Sequence, residues 1–223
     1  MFVTSIEFIG YIAIFLFSLV IHENVHARVA YYLGDSTAKD MGRFSFNPLK
    51  HVTLAGILLP IGLHLINAPI FGFAKPVPYN QSSFKNPRRD MILVVLAAPF
   101  ANFILAVIAC LLCSIRLSIL PEIYLLYFDT ICATIFKVNF LLCVFNLLPI
   151  PPLDGSIIYM STVIDKNPKL SRKFEDQGFG ILFFLLIIMP LIGKAFGKDY
   201  NIIGIYIRWC LDEFVSILSS LAG

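Results

Sequence analysis

Residues 6–33 read IEFIGYIAIFLFSLVIHENVHARVAYYL. A helix needs about 20 predominantly apolar residues to cross the hydrocarbon core of a bilayer, and this run has them. It is interrupted by His22, Glu23, Asn24 and His26, and Gly34 ends it. Two imidazoles and a carboxylate inside a span are costly unless they are partnered, so they mark a site. His22 and His26 are four apart, on one helix face and about one turn separated. Both rings can therefore reach a single metal ion. Glu23 sits beside that face, where it can take a proton from water activated by the ion.

The rest of the chain is read outward from this helix. Of 223 residues, 58% are hydrophobic and 14% charged, with a mean hydropathy of +0.84. A soluble domain carries about 25% charged residues, so lipid is the expected solvent. The length allows one integral-membrane domain over 1–223, with a catalytic core over about 6–164 and accessory C-terminal helices over about 178–221. No soluble accessory domain is expected, and the first apolar run reads as a retained span, not a signal peptide. A net charge of +3 is unremarkable, and no nucleic-acid partner is expected. Cys110, Cys113, Cys132, Cys143 and Cys210 lie mostly in apolar runs without zinc-ribbon spacing, and read as small apolar fillers.

The predicted fold class is all-α: a polytopic transmembrane helix bundle with a re-entrant hairpin. Leu54 to Phe73 is apolar but broken by Gly56, Pro60, Gly62, Pro69 and Gly72, which suits re-entry better than a straight helix. Met91 to Ser118 is a clean span. A further span begins near 124–128 and stops at Pro149, where Pro149, Pro151 and Pro152 impose extended backbone. Ser156 to Ile164 is a short amphipathic piece and Asp165 to Gln177 a polar run. Phe179 to Phe196 is the last clear span. Residues 201–221 contain Arg208, Asp212 and Glu213, and either span or lie on the surface.

Two histidines leave a catalytic zinc short of one protein ligand, because such sites take three and a water. Asp154 is the best candidate. It follows the proline-unwound end of a span, beside the flexible Gly155. His51 and His64 are the competitors and read as structural or interfacial. Asn139 and Asn146 are seven apart and so share a helix face to within about 20°. Two readings stand equally for them and for Asn102: side chains turned into an active-site cleft, or hydrogen bonds between helices. Lys137 lies deep in its helix, where Asp129 is one candidate partner.

These segments resemble the site-2 protease family of intramembrane zinc metalloproteases, in its compact subgroup without a PDZ domain. His22 to His26 matches the family's HExxH. Asn146 to Gly155, NLLPIPPLDG, matches its NxxPxxxLDG. Ala98 to Phe103, APFANF, is similar to its GPxxN segment, with Ala98 in place of the glycine. Gly42 to Pro48 and Phe73 to Pro78 are similar to the compact subgroup, which often has Asp-Pro after a histidine like His51, where this chain has Val52-Thr53. The resemblance covers about Ile21 to Gly155. It implies His22, His26 and Asp154 as ligands of one Zn2+ per chain and Glu23 as general base. It implies a substrate-holding or oxyanion role for Asn146, and a membrane-protein substrate cut within the bilayer. A catalytically silent adaptor of the same fold is the alternative, with a metal transporter or a membrane di-iron oxygenase more distant. The oligomeric state is not legible.

Metal geometry gives a topology. His22 lies about 16 residues, or about 24 Å at 1.5 Å per residue, into its helix, and Asp154 follows the far end of its own. They share an ion only if the intervening 54–73 segment re-enters. One side then holds Arg28, Lys39, Arg43, Lys50, Lys75, Lys85, Arg88, Arg89 and the basic residues of 166–173, and the other holds Arg116, Lys194 and Lys198. The positive-inside rule makes the richer side cytoplasmic. The expectation is a multi-pass protein of the cell membrane with its active site near the cytoplasmic face.

Overall fold

The computed structural model describes residues 5–65, 74–114, 121–161, 168–198 and 200–222. Among these the architecture is helical throughout, and the one β feature is an isolated bridge. Four helical stretches are long and apolar enough to cross a membrane: Phe8–Tyr32, Pro87–Ser114, Tyr124–Asn146 and Lys169–Ala195. The protein is accordingly a multi-pass membrane protein. The chain divides into two compact units, Met1–Ile57 with Gly72–Cys143, and Leu58–Phe71 with Val144–Gly223.

In the first unit, α1 (Ser5–Tyr32) packs chiefly against α4 (Pro87–Ser114). α1 ends in a Schellman turn: Gly34 N–H donates to Tyr31 C=O at 3.1 Å and Asp35 N–H to Ala30 C=O at 2.9 Å. That turn needs a left-handed residue at position 34, which glycine supplies at φ 113°. The chain continues through the short α2 (Thr37–Asp40) and a 3-10 turn at Pro48–Lys50. Val52 then pairs with Ala74 in the antiparallel bridge, and Lys75 N–H donates to His51 C=O at 2.7 Å. The apolar excursion therefore leaves and returns at the same place, as a re-entrant segment must. Its first part is α3 (Leu54–Leu65), with Pro60 inside it; 66–73 lie outside the described residues.

Buried Arg43 braces this return: its Nη1 donates to Lys50 C=O at 2.6 Å and its Nη2 to Pro76 C=O at 2.7 Å. One apolar cluster joins Leu19, Val52, Val138 and Leu142, the last two from α5 (Glu122–Asn146). A second joins Ala27, Ala38 and Val77 under the loops. Asp129 accepts from the Cys113 thiol at 3.8 Å instead of pairing with Lys137.

In the second unit the end of α5 passes through a proline turn into α6 (Asp154–Tyr159). Residues 162–167 lie outside the described residues. α7 (Pro168–Phe183), a π-helical turn at Phe184–Ile188 and α8 (Met189–Ala195) form one continuous helical stretch. It begins about ten residues before the expected span, because the polar stretch from Pro168 to Gln177 is helical with mostly exposed side chains. α9 (Ile202–Ala222) carries Arg208, Asp212 and Glu213 as exposed residues and is not among the four candidate spans. Leu153, Leu182, Leu186 and Ile203 form the core of this unit.

Candidate metal centre

The HExxH turn lies in the second half of α1. Here, surrounded by apolar side chains, the ring nitrogens of His22 and His26 need partners. Both residues are buried at 3% exposure, and Glu23 and Asn24 are buried beside them. His26 Nδ1 lies 2.9 Å from the Val94 carbonyl on α4. A carbonyl only accepts, so His26 carries its proton on Nδ1. Pro99, which has no N–H to give, sits one turn further along the same helix and disturbs its hydrogen-bond ladder there.

The tautomer of His22 follows from a longer chain of bonds. Asn139 Nδ2 donates to the Ile135 carbonyl at 2.9 Å and to Ser18 Oγ at 3.0 Å. The Ile135 carbonyl can only accept, which fixes the Asn139 amide with Oδ1 free to receive Asn102 Nδ2 at 2.8 Å. Asn102 is thereby oriented with Oδ1 toward His22 Nδ1, 2.6 Å away. His22 must donate from Nδ1. Both imidazoles then present unprotonated Nε2 atoms, and these stand 3.2 Å apart with the rings nearly perpendicular, at 89°.

Two unprotonated nitrogens this close to each other are an arrangement that a shared cation stabilises. Two imidazole nitrogens bound tetrahedrally to zinc at 2.0–2.1 Å stand about 3.3 Å apart. The observed spacing fits that geometry, and the hydrogen bonds at both Nδ1 atoms are the supports that metal-bound histidines use to fix tautomer and ring orientation.

Asn102 and Asn139 are fully buried behind His22 and link α1, α4 and α5. Asn24 is turned the other way. Its Nδ2 donates to the Val20 carbonyl at 3.2 Å and to the Ser45 carbonyl at 2.5 Å. His51 Nε2 donates to that same carbonyl at 2.6 Å, and His51 is wholly buried. Burial lowers the His51 pKa; the Ser45 carbonyl opposes the shift, while Arg43 and Lys50 add to it. The loop after α1 is thus pinned to the middle of the HExxH turn. The sequence holds one signal for this, a carboxamide in an apolar span. The partner that Asn24 and His51 share, the backbone carbonyl of Ser45, leaves no trace in composition.

Asp154 and Asn146 belong to the second unit. Asp154 is half-buried, at the start of α6. The turn before it is tightly wound: Ile150 N–H donates to Leu148 C=O and Leu153 N–H to Ile150 C=O, each at 2.9 Å. Ser156 Oγ donates to Leu153 C=O at 2.6 Å. Gly155 is required here, since a Cβ would stand 2.7 Å from Leu148 O and overlap Leu147 O. Asn146 is half-buried at the end of α5. The side chain of His64 lies outside the described residues.

No family model and no solved structure matches the chain. Similar curated proteins do. "Putative zinc metalloprotease YwhC" of Bacillus subtilis is 38% identical over 177 residues, 78% of this chain and 78% of the relative. "Putative zinc metalloprotease Rip2" of Mycolicibacterium smegmatis is 31% identical over 194 residues, covering 85% and 70% of the two chains. The protein of that name from Mycobacterium tuberculosis strain H37Rv is 30% identical over 198 residues, covering 86% and 72%. With the HExxH nitrogens converging in an apolar helix and this similarity over most of its length, the chain belongs to the site-2 protease family of membrane zinc metalloproteases.

Proposed function

We propose that the protein is an intramembrane endopeptidase that holds one Zn2+ through His22, His26 and Asp154 and hydrolyses peptide bonds in or near the transmembrane segments of other membrane proteins, in regulated proteolysis. The observation that carries this reading is the pair of Nε2 atoms 3.2 Å apart on a helix long enough to span. Asp154 supplies what that pair lacks. A third protein ligand completes a catalytic set, and a carboxylate offsets part of the ion's charge in a low-dielectric site. Support comes from the proline turn and Gly155, which present the Asp154 carboxylate at the start of a helix.

Zinc, when bound, supplies Lewis acidity, polarising the scissile carbonyl and acidifying water. The Glu23 carboxylate takes a proton from the attacking water and passes it to the leaving amine. Asn102 and the Val94 carbonyl hold the histidine rings so that no reorientation is needed during reaction. Asn146 is assigned to holding substrate or the developing oxyanion. A substrate helix satisfies its own backbone, so it must unwind locally before attack. The proposed setting is the cell membrane, with the site near the cytoplasmic face, following the excess of basic residues on that side.

Glu23→Gln tests the reading. The variant is expected to keep zinc and lose cleavage of a helical membrane substrate in detergent, since glutamine is no base while both imidazoles remain. Undiminished cleavage would overturn the role of Glu23. Wild-type protein that binds zinc and cuts no substrate in a broad membrane-protein panel would favour the adaptor.

A further inference from the structure

Gly178 on α7 lies outside every motif named so far, and it is buried while its neighbours Asp176, Gln177, Phe179 and Gly180 are exposed. A Cβ added there would overlap the Pro151 Cβ and stand 2.5 Å from the Pro151 carbonyl oxygen and 2.9 Å from its carbon. The helix backbone therefore rests directly on the proline turn. Contacts this close to backbone cannot be relieved by turning a side chain. Gly180, two residues on, meets nothing within 4 Å.

Pro151 stands three residues before Asp154, and the intervening turn has little freedom. Pro149, Pro151 and Pro152 fix φ at three positions. The Leu153 N–H is tied to Ile150 and the Ser156 hydroxyl to Leu153. Gly155 is packed against the carbonyls of Leu147 and Leu148. A push on Pro151 is passed along this stiff turn to the Asp154 carboxylate instead of being absorbed.

We infer that Gly178 is a positioning residue for the metal centre: through Pro151, α7 sets where the Asp154 carboxylate stands. The inference rests on Asp154 as third ligand. Its physical content is that the helix–turn contact, not the NxxPxxxLDG segment alone, determines the strength of the metal site.

The test compares Gly178→Ala and Gly180→Ala in the full-length protein, with zinc affinity measured by chelator competition and folding followed by circular dichroism. Gly178→Ala is expected to weaken zinc binding about 10–100-fold, the usual effect of losing a group that orients a ligand. It should lower kcat with KM little changed, and excess zinc should restore part of the activity, which it would not do for a general folding defect. Gly180→Ala should match wild type in all respects. Pro151→Gly, which removes the surface on which α7 rests, should weaken zinc in the same way and decides the matter if Gly178→Ala does not fold. Wild-type zinc affinity in a folded Gly178→Ala, or in Pro151→Gly, overturns the inference. Asp154→Ala, run alongside, separates the two readings. If it loses zinc while the glycine variant does not, the positioning role alone falls. If it retains zinc, the ligand assignment falls first.

Discussion

Replacing Asn102 by leucine should damage zinc binding without touching a ligand. Leucine has the same number and branching of side-chain heavy atoms as asparagine and has no acceptor. His22 Nδ1–H would lose the 2.6 Å bond that orients it, and Asn139 Oδ1 would lose its donor at 2.8 Å. A buried polar group left unpaired costs about 1–3 kcal/mol. The Asn139 part falls on folding in the apo and zinc-bound states alike. The His22 part falls on the metal, because an unanchored ring must be ordered on binding and is free to adopt the tautomer with its proton on Nε2. A loss of about 10–100-fold in zinc affinity corresponds to about 1.4–2.7 kcal/mol, consistent with one lost bond. The assay is competition with a chelator of known affinity, on protein whose helicity matches wild type. Asn102→Asp provides the internal control. It keeps an acceptor for His22 but sets an oxygen against Asn139 Oδ1, so it should bind zinc better than the leucine variant while being less stable than wild type. Zinc affinity in Asn102→Leu within about twofold of wild type would refute the argument that the Ser18–Asn139–Asn102 chain sets the His22 tautomer.

Two further outcomes follow from the loop side of the site. The folded-state pKa of His51 lies below its ordinary 6.5, so burial favours the neutral ring. The stabilisation is present above the unfolded value and is lost as pH falls through the folded one. Thermal stability of the zinc-loaded protein should therefore be level above about pH 6.5 and decline below it, and His51→Gln, which can still donate to Ser45, should show a smaller decline; identical profiles would refute this. Single cysteines at Ser45 and Ser82 should be labelled from the same, cytoplasmic, side of the membrane and one at Glu122 from the opposite side. Opposite labelling of the first two would contradict the re-entrant excursion.

Much of this arrangement is legible in the sequence because lipid punishes ambiguity. The apolar runs give α1, α4 and α5 close to their observed bounds, and the breakers between Leu54 and Phe73 predict an excursion whose ends, Val52 and Ala74, are paired. His22 and His26 are readable because a helix places residues four apart on one face. What surrounds them is less so. Asn102 and Asn139 stand equally as cleft residues or as links between helices. Their hydrogen bonds to His22, to Ser18 and to each other depend on helix rotation that spacing does not determine. His51 reads as structural or interfacial, but its partner is not legible, since that partner is the Ser45 carbonyl and every residue has a carbonyl. The first turns of α7 read only as a polar run because their polarity hides a helix, and the buried Gly178 that follows is what seats it on the Pro151 turn. For His51 and Gly178 the missing information is a contact with backbone, which side-chain composition does not encode.

The measurement closest to the central claim is the zinc content of purified Asp154→Ala beside wild type, His51→Ala and His64→Ala. About one zinc per chain is expected in wild type and in both histidine variants, and little in Asp154→Ala, with cleavage lost along with the metal. Full zinc occupancy in Asp154→Ala, with loss in either histidine variant, would contradict it.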